Sequence, residues 1–543
     1  MINTGTCETR NSYLTKARHP PISRDEFRSD YAIPKSRQAD ILLIISDEER
    51  DIGRYKSEIR RLQCAVEDLE REQRTLEEQV ENRRSYLSIL RRVPEELWVE
   101  IFSYCLAHLR ATVVENEGER FQQDRDWRTL FSAPFTLSHV CVRWRDIIAS
   151  APSLWSSVFL NLHWRHAPRT AELYIESSKN QDLDVALHCS GQWDPDIEEE
   201  QRMAGALTFQ TLFNHMSRFR RLAMFDLQFD VEHLANPTFS RLEYLRIGKS
   251  FYPRWFREAV RHAPRLDQVV LEQDAIIPFE MISFSSLRSL EILKLERYAE
   301  QLLEIIPTLH NLESLTIARF GAPLREPILP PKKCDSLRSL SVTHFNSSPS
   351  TLLQSLELVN LDTLAVDFQR PIDSLDDLVL PFSKLPSLQN LSFSCFIPRP
   401  VDKLADIIRN LPNLVALQAR LRLYSPAYRT AVSSLLSDLA EDPTIGSRLE
   451  SLSLIVVHDD ITQEILESLV RLLEARCEDK LSSLRDVSLV GDCPCALSLA
   501  NDITDRLHNV QKKGVDCIVC SLADYYYFPH RSPRSQDSSY VSH

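Results

Sequence analysis

The chain has 543 residues, 43% hydrophobic and 26% charged, which is typical of a soluble globular protein with two to four domains. Its net charge of -13 argues against nucleic-acid binding through bulk electrostatics, because phosphate contacts require clustered Lys and Arg. No apolar run approaches the roughly 18 residues of a membrane-spanning helix, and the N-terminus lacks the apolar stretch of a secretory signal. The 12 scattered cysteines then favour reduced thiols in the cytoplasm or nucleus.

The glycine pattern excludes several classes of enzyme. There are only 10 glycines, and no two lie closer than Gly191 and Gly205. A phosphate-binding loop and a serine-hydrolase nucleophile elbow both need glycines a few residues apart, because the backbone must approach closely there. Since no other arrangement for nucleophilic or acid–base catalysis is evident, we expect a protein that is not an enzyme and has no cofactor.

The first predicted structural element is a coiled-coil helix. Residues 1–40 lack periodicity and are expected to form a disordered tail, whereas residues 41–92 carry a seven-residue apolar repeat. About six heptads exceed the three to four that a coiled coil requires, so we expect a homodimer through this segment. The alternative is a single solvated helix that packs within its own chain. The two seam rows are Ile52, Ile59, Val66, Gln73, Val80 and Leu87, and Tyr55, Leu62, Leu69, Leu76, Arg83 and Leu90.

Four short motifs follow within residues 93–160. A proline in the first turn and two glutamates after it favour the start of a helix, because the missing amide costs nothing there and the negative charges face the positive end of the helix dipole. Apolar residues recur at helical spacing in this stretch and again near residues 137–148. The motifs are Val93-Pro94-Glu95-Glu96-Leu97, Ile101-Phe102, Val140-Cys141-Val142-Arg143-Trp144-Arg145 and Pro152-Ser153-Leu154-Trp155.

These motifs resemble the F-box, in particular the F-box-like proteins common in mushroom-forming fungi. The family pattern is Leu-Pro-x-Glu-Leu/Ile, Ile-Phe, Val-Cys-x-x-Trp-Arg and Pro-x-Leu-Trp. The resemblance implies three short helices that dock on a Skp-type adaptor, which is attached to a cullin scaffold. The chain departs from the pattern at Val93, where the family has Leu, and in a charged insert, residues 107–132, which we expect to loop out. The contact or scaffold positions implied are Pro94, Leu97, Ile101, Phe102, Leu137, Val140 and Trp144.

A Leu-x-x-Leu-x-Leu pattern recurs through the remainder of the chain. A period in the twenties is typical of a leucine-rich-repeat solenoid, in which each copy forms a short strand and neighbouring copies stack. Helical patterns lie between the copies, as in residues 299–306 and 401–408. We therefore predict an α/β fold, in which a leucine-rich-repeat solenoid over residues 161–522 precedes a C-terminal tail at 523–543. The copies begin at Leu222, Leu242, Leu266, Leu290, Leu312, Leu337, Leu361, Leu388, Leu414, Leu449 and Leu484.

The residues between the core leucines are candidates for binding a target protein. Strand alternation places them on the opposite face of the sheet, which solenoids use for protein recognition. For each residue alone, a solvated surface position is the favoured interpretation. The candidates are Tyr244, Arg246, Gln268, Lys294, Thr316, Arg319, His344, Asp367, Gln418 and Arg420.

Two cysteine pairs offer an alternative chemistry. Cys493 and Cys495, with Cys517 and Cys520, could hold zinc through four thiolates. We do not favour this, because Cys517 and Cys520 lie in an apolar run that is typical of buried free cysteines.

The sequence thus predicts a substrate-recognition subunit of a cullin-type ubiquitin ligase. Its partners would be the Skp-type adaptor, the cullin scaffold and an unknown protein substrate, with no metal, nucleic acid or membrane involved. The alternative is a scaffold or assembly protein that uses the coiled coil and the repeats without attachment to a ligase.

Overall fold

The computed structural model falls into two units, residues 1–94 and residues 95–543. The predicted tails at 1–32 and 523–543 lie outside the described residues, as does most of the charged insert. The described residues are 33–87, 89–114, 134–189, 198–225, 238–248, 254–272, 286–295, 299–320, 331–345, 353–371, 384–396, 404–422, 429–478, 483–492 and 501–521.

The first unit contains one long helix, α1, which spans Lys35–Tyr86. It begins directly after Pro34, six residues before the predicted start, so residues 35–40 are helical rather than disordered. Its interior holds no proline, and Arg83 and Arg84 lie in the last turn, where cations favour the negative end of the helix dipole. At 52 residues, the helix is about 78 Å long.

The second unit opens with two helices and a helical turn, the first helix being longer than the short helices that the resemblance implies. Helix α2 spans Glu95–Val114 and carries Glu95 and Glu96 in its first turn, and α3 spans Val142–Ser150. Cys141 caps α3 by accepting a hydrogen bond from the Trp144 amide at 3.5 Å. A helical turn at residues 134–138 lies between them. Helix α2 continues eight residues into the segment 107–132 that was expected to loop out.

The described strands of the second unit form one large parallel sheet. Fourteen of them are paired in the order in which they follow one another in the chain, with only two short strands set aside in a separate pair. The sheet begins at Ser157, inside the segment predicted to be helical. The large sheet comprises β1 Ser157–Asn161, β2 Leu183–His188, β3 Phe219–Phe225, β4 Tyr244–Ile247, β5 Gln268–Leu271, β6 Ser289–Ile292, β7 Ser314–Ile317, β9 Ser339–Phe345, β11 Thr363–Pro371, β12 Asn390–Phe396, β13 Ala416–Arg422, β14 Ser451–Asp460, β15 Asp486–Asp492 and β16 Asp516–Ser521, and the separate pair is β8 Lys332–Lys333 with β10 Leu356–Glu357.

Two apolar rows run across the sheet and explain why these segments form strands. The side chains of alternate residues point to one face, and strand pairing in register aligns them from one strand to the next. Every residue of both rows is buried. The first row is Val185, Leu222, Leu245, Val269, Leu290, Leu315, Leu340, Leu364, Leu391, Leu417, Leu452 and Val487, and the second is Leu187, Met224, Ile247, Leu271, Ile292, Ile317, Val342, Val366, Phe393, Ala419, Leu454 and Leu489.

The strand register corrects two of the predicted repeat copies. Leu290 pairs with Leu315, the fourth position of the copy that starts at Leu312, so its own copy starts at Leu287. By the same pairing, Leu222 is a fourth position. The error arose because apolar residues recur every three positions in these stretches, which lets two overlapping copies fit the pattern.

Helices connect many of the strands and bury apolar residues of their own. Helix α10, which spans Gln463–Glu478, buries Leu466, Leu469 and Leu473 at helical spacing, as expected for a helix with one face against a core. Its buried Arg476 donates to the carbonyl of Ile445 at 2.6 Å, which satisfies the cation within the interior. Further described helices of this unit are α4 Ala167–Ser178, α5 Glu198–Phe213, α6 Arg254–Arg261, α7 Ala299–Ile305, α8 Leu404–Arg409, α9 Arg429–Glu441 and α11 Asn501–Lys512.

In the part of the chain that the structure describes, no helix combines the length and apolarity needed to cross a bilayer.

Candidate protein-binding surfaces

An aromatic cluster joins helix α2 to helix α3. The ring centroid of Trp144 lies 5.0 Å from that of Trp98 and 4.8 Å from that of Phe102. Phe102 is only 1% exposed and Trp98 is buried. Aromatic pairs at these distances stabilise packing beyond the area that they bury. Phe102 and Trp144 therefore support the two helices from within, which fits a scaffold position rather than a surface contact for Phe102.

A second aromatic group anchors the end of the helical segment. Trp155 lies 5.5 Å from Phe135 and 5.4 Å from Tyr174 between ring centroids. The Trp155 indole donates a hydrogen bond of 2.8 Å to the carbonyl of Ile148 in α3. Burial raises the pKa of Tyr174, which keeps its hydroxyl neutral. Trp155, which ends the Pro152-Ser153-Leu154-Trp155 motif, therefore links α3 to Phe135 and Tyr174.

Helix α2 also carries an exposed apolar stripe, which we define as Leu97, Ile101 and Tyr104. These residues are 49%, 46% and 76% exposed. They recur at i, i+4 and i+7, so they lie on one side of the helix, about 100° from the buried row of Trp98 and Phe102. Most surface helices bury their single apolar face, so a second one that faces water is typical of a binding surface.

Two further exposed apolar residues lie next to the start of α3. Val140 and Val142, at the start of α3, are 58% and 66% exposed. Elsewhere in the described residues of the second unit, the large exposed apolar side chains are one i, i+4 pair on helix α5 and two single residues. Those are Leu173, Met203, Leu207 and Val359.

The remaining predicted adaptor positions are divided between the surface and the interior. Val140 is exposed as expected of a contact, whereas Leu137 and Trp144 are half-buried. Pro94 is exposed and is the last residue of the first unit.

The sheet carries a charged cluster at strands β3 to β6. Arg246 is buried, pairs with the Glu272 carboxylate at 2.9 Å and lies over the Phe225 ring at 5.2 Å from its centroid. The Arg221 guanidinium lies 4.4 Å from the centroid of the Tyr244 ring. These contacts fix Tyr244 and Arg246 in place, so both predicted target-binding residues have structural partners within the chain.

Glu291 belongs to the same cluster and was missed by the sequence analysis. Val270 pairs with it, and Val270 in turn pairs with Arg246, so the three side chains occupy one row on adjacent strands. Burial raises the pKa of Glu291, and the charge of Arg246 opposes that rise. In the corrected register Glu291, rather than Lys294, lies between two core positions, so a correct register would have identified it.

The other predicted target-binding residues are distributed over several strands of the sheet and do not form one site. Tyr244 and Gln268 are paired on β4 and β5, and both are half-buried. Asp367 and Arg420 lie on either side of Ser394 in β12. Arg319 and Gln418 are exposed, Lys294, Asp367 and Arg420 are half-buried, and Thr316 is buried. His344 lies in β9, and its side chain is outside the described ones.

Charged residues of both signs lie where several strands begin, in an open depression of about 760 Å³. Along this edge, the backbone amide of one charged residue donates to the backbone carbonyl of the charged residue before the preceding strand. Examples are the Asp267 amide, which donates to the Glu243 carbonyl at 2.9 Å, and the Arg288 amide, which donates to the Asp267 carbonyl at 2.9 Å. The side chains of Arg288 and Asp267 approach to 3.6 Å and remain exposed. Because the two signs of charge are mixed, this edge does not present the basic patch that a phosphate backbone requires.

Among the described residues, no group of three or more His, Cys, Asp or Glu is placed to hold a metal ion. Cys493 and Cys495 of the zinc alternative lie outside the described residues. Burial raises the pKa of Cys517 to about 12.

No protein-family model matches the chain. No curated protein matches it either.

Proposed function

We propose that this protein is a substrate-recognition subunit of a cullin-type ubiquitin ligase. The observation that carries the proposal is the exposed apolar stripe of α2, at the positions where the sequence resembles the F-box. The stripe rests on a rigid base, since Trp98 and Phe102 on the adjoining side of the helix pack against Trp144. A fixed apolar surface loses little conformational freedom on binding, which favours affinity for a preformed partner.

In this function, the surface residues of the helical segment would bind the adaptor, and the buried residues would hold the helices in place. Leu97, Ile101 and Val140 would contact the Skp-type adaptor, and Tyr104 extends the same stripe. Phe102 and Trp144 would hold the helices in position. Pro94 is exposed and would contribute from the segment that precedes α2.

The proposal further assigns the large sheet to a leucine-rich-repeat solenoid that binds the target protein. Sequential parallel strands with two unbroken apolar rows support this assignment. The opposite face offers small polar side chains along most strands and the charged cluster around Arg246 near its start. We regard Arg319 and Gln418, which are exposed, as the target contacts best supported by their exposure.

The mechanism would be one of proximity. The subunit contributes no bond-making group itself, and holding the target and the ligase on one chain raises the effective concentration of the target near the transfer machinery. The proposal includes residence in the cytoplasm or nucleus, where exposed thiols such as Cys64 and Cys141 stay reduced.

The alternative function is a scaffold or assembly protein without attachment to a ligase. The observation that favours it is helix α1, which has no buried residue and therefore offers a long surface for association. Both functions can use α1 and the sheet, but only the ligase function requires the stripe of α2 to bind an adaptor.

The test is a pull-down of purified Skp-type adaptor by the full chain. We expect the wild type to retain the adaptor and Leu97→Ala/Ile101→Ala to weaken binding at least tenfold, since each residue would lose an apolar contact. The matched control is Met203→Ala/Leu207→Ala, which truncates another exposed i, i+4 pair, 68% and 51% exposed, on helix α5. This control should bind like the wild type. Absence of binding by a folded wild-type chain would favour the scaffold function instead.

A further inference from the structure

Helix α1 presents a continuous apolar seam to solvent. None of its residues is buried, and the seam residues between Ile52 and Val80 include eight apolar side chains that are 39% to 65% exposed. The helix is otherwise covered with charge, and several Arg side chains form ion pairs one turn apart, such as Arg61 with Glu58 at 2.6 Å. Such pairs stabilise an isolated helix only slightly, so the seam requires a partner.

We propose that this seam binds the same seam of a second copy, as a parallel two-stranded coiled coil in register from Ile52 to Val80. The residue types along the seam favour this arrangement. One row carries β-branched Ile52, Ile59, Val66 and Val80, and the other carries Leu62, Leu69 and Leu76. Isoleucine or valine in the first row with leucine in the second favours two parallel strands over three or four.

Gln73 supports the parallel direction. In a parallel pair in register, this residue meets its own copy, and two side-chain amides can each donate and accept. In an antiparallel pair, residues of the two rows face each other, so the amide would face a leucine or another member of the apolar row and lose a partner in the interface. In the single chain the Gln73 amide donates to Glu77 at 2.8 Å, which shows that it can turn along the seam.

The area of the seam is consistent with a second copy as the occupant, whereas the flanking charges include both an attractive and a repulsive pair. Across a parallel interface the flanking residues Asp51 and Lys56 of the two copies would face each other with opposite charge. Glu72 and Glu77 would face each other with like charge beside Gln73, so this layer is the weakest part of the seam. Eight seam residues per chain, at about 60 Å² of apolar area each, bury on the order of 1,000 Å² in total, which reaches the size of a specific interface.

Arg83 sets the C-terminal limit of the pairing. It occupies a seam position in the last turn of α1. In a parallel dimer the two copies of this guanidinium would meet as like charges, which is unfavourable in an apolar layer. The seam therefore ends before Arg83, and the pairing covers about 42 Å of the helix.

The first test measures the mass of the full chain by light scattering at about 20 µM, where a dimer with a Kd near 1 µM is mostly formed. We expect twice the mass of one chain. Leu62→Glu/Leu69→Glu should weaken association at least a hundredfold and give single chains. Ser57→Glu/Thr75→Glu adds the same charge on the outer side of α1 and should remain dimeric. A monomeric or trimeric wild type, or a control that dissociates like the seam variant, would overturn the proposal.

The second test reports the direction of the helices. Ile52→Cys and Val80→Cys each place a thiol beside its own copy only in the parallel arrangement, so both should give a covalent dimer on mild oxidation. The wild type, which carries Cys64 on the outer side of α1, measures the background. A dimeric chain in which neither variant crosslinks above that background would refute the parallel arrangement. Adaptor binding by the seam variant is scored separately, so failure of the ligase function and failure of the dimer are distinguishable.

Discussion

Phe102→Ala is expected to loosen helix α2 locally, whereas Leu97→Ala is expected to leave the helix in place. Phe102 is 1% exposed, and its ring lies 5.5 Å from Trp98 and 4.8 Å from Trp144 between centroids. Truncation of a buried phenylalanine costs about 3–5 kcal/mol, because it removes apolar burial and leaves a cavity. Leu97 is 49% exposed and would leave no closed cavity, so its truncation should cost about 1 kcal/mol.

Hydrogen–deuterium exchange of peptides from residues 95–106 and 142–150 measures this difference. Exchange reports the free energy of local opening, and each 1.4 kcal/mol changes the open population tenfold. Phe102→Ala should therefore accelerate exchange about a hundredfold or more, and Leu97→Ala about fivefold. Both variants should lose adaptor affinity, the first through lost structure and the second through lost contact.

The control is Met203→Ala, which removes an exposed side chain from α5 and should leave exchange in α2 unchanged. Equal acceleration by Leu97→Ala and Phe102→Ala would refute the reasoning. It would mean that the stripe is packed as tightly as the aromatic cluster, and the assignment of one side of α2 to binding would be wrong.

Three further predictions concern the seam, a cysteine and an ion pair. Gln73→Ile should raise the thermal stability of the dimer and admit higher oligomers, because a polar seam residue lowers stability but restricts the number of strands; calorimetry and light scattering check both effects. Burial raises the pKa of Cys334 to about 12, so iodoacetamide at pH 8 should label exposed Cys64 and spare Cys334, as read by peptide mass spectrometry. Hydrogen bonding to Arg506 lowers the pKa of Glu474, so this pair stabilises the fold above the ordinary pKa near 4.5, and its contribution is lost as pH falls through the lowered value. Because both side chains are about a third exposed, Arg506→Met should lower the free energy of unfolding by under about 1 kcal/mol at pH 7 and by less at pH 3. Urea unfolding at the two pH values measures this, and an equal loss at both would contradict the account.

The strands were predictable because their pattern is repeated and local. Most copies of the leucine pattern coincide with a strand of the large sheet, as Leu312 and Leu337 show for β7 and β9. The register failed at Leu290, where leucines three residues apart fit two overlapping copies. Only pairing with Leu315 on the next strand separates the two possibilities, and that pairing is a tertiary contact.

The division of α2 into a buried and an exposed side was not predictable from the sequence. Leu97 with Ile101 and Trp98 with Phe102 are both apolar pairs at i, i+4, so helical spacing alone favours neither. The outcome depends on where Trp144 packs, which periodicity within one helix does not report. For the same reason the resemblance named Phe102 together with the surface residues.

The sequential order of the strands has a consequence for biosynthesis. Each strand of the described sheet after the first pairs with the strand that was synthesised before it. No strand of the described sheet therefore has to wait for a distant partner from the C-terminal end before it can pair. Since loop closure between nearby segments is inexpensive and domains form as the chain emerges, the sheet can grow strand by strand during translation. Premature termination would then yield a shorter sheet with an open apolar edge at its last strand, a species that chaperones and proteases would readily recognise.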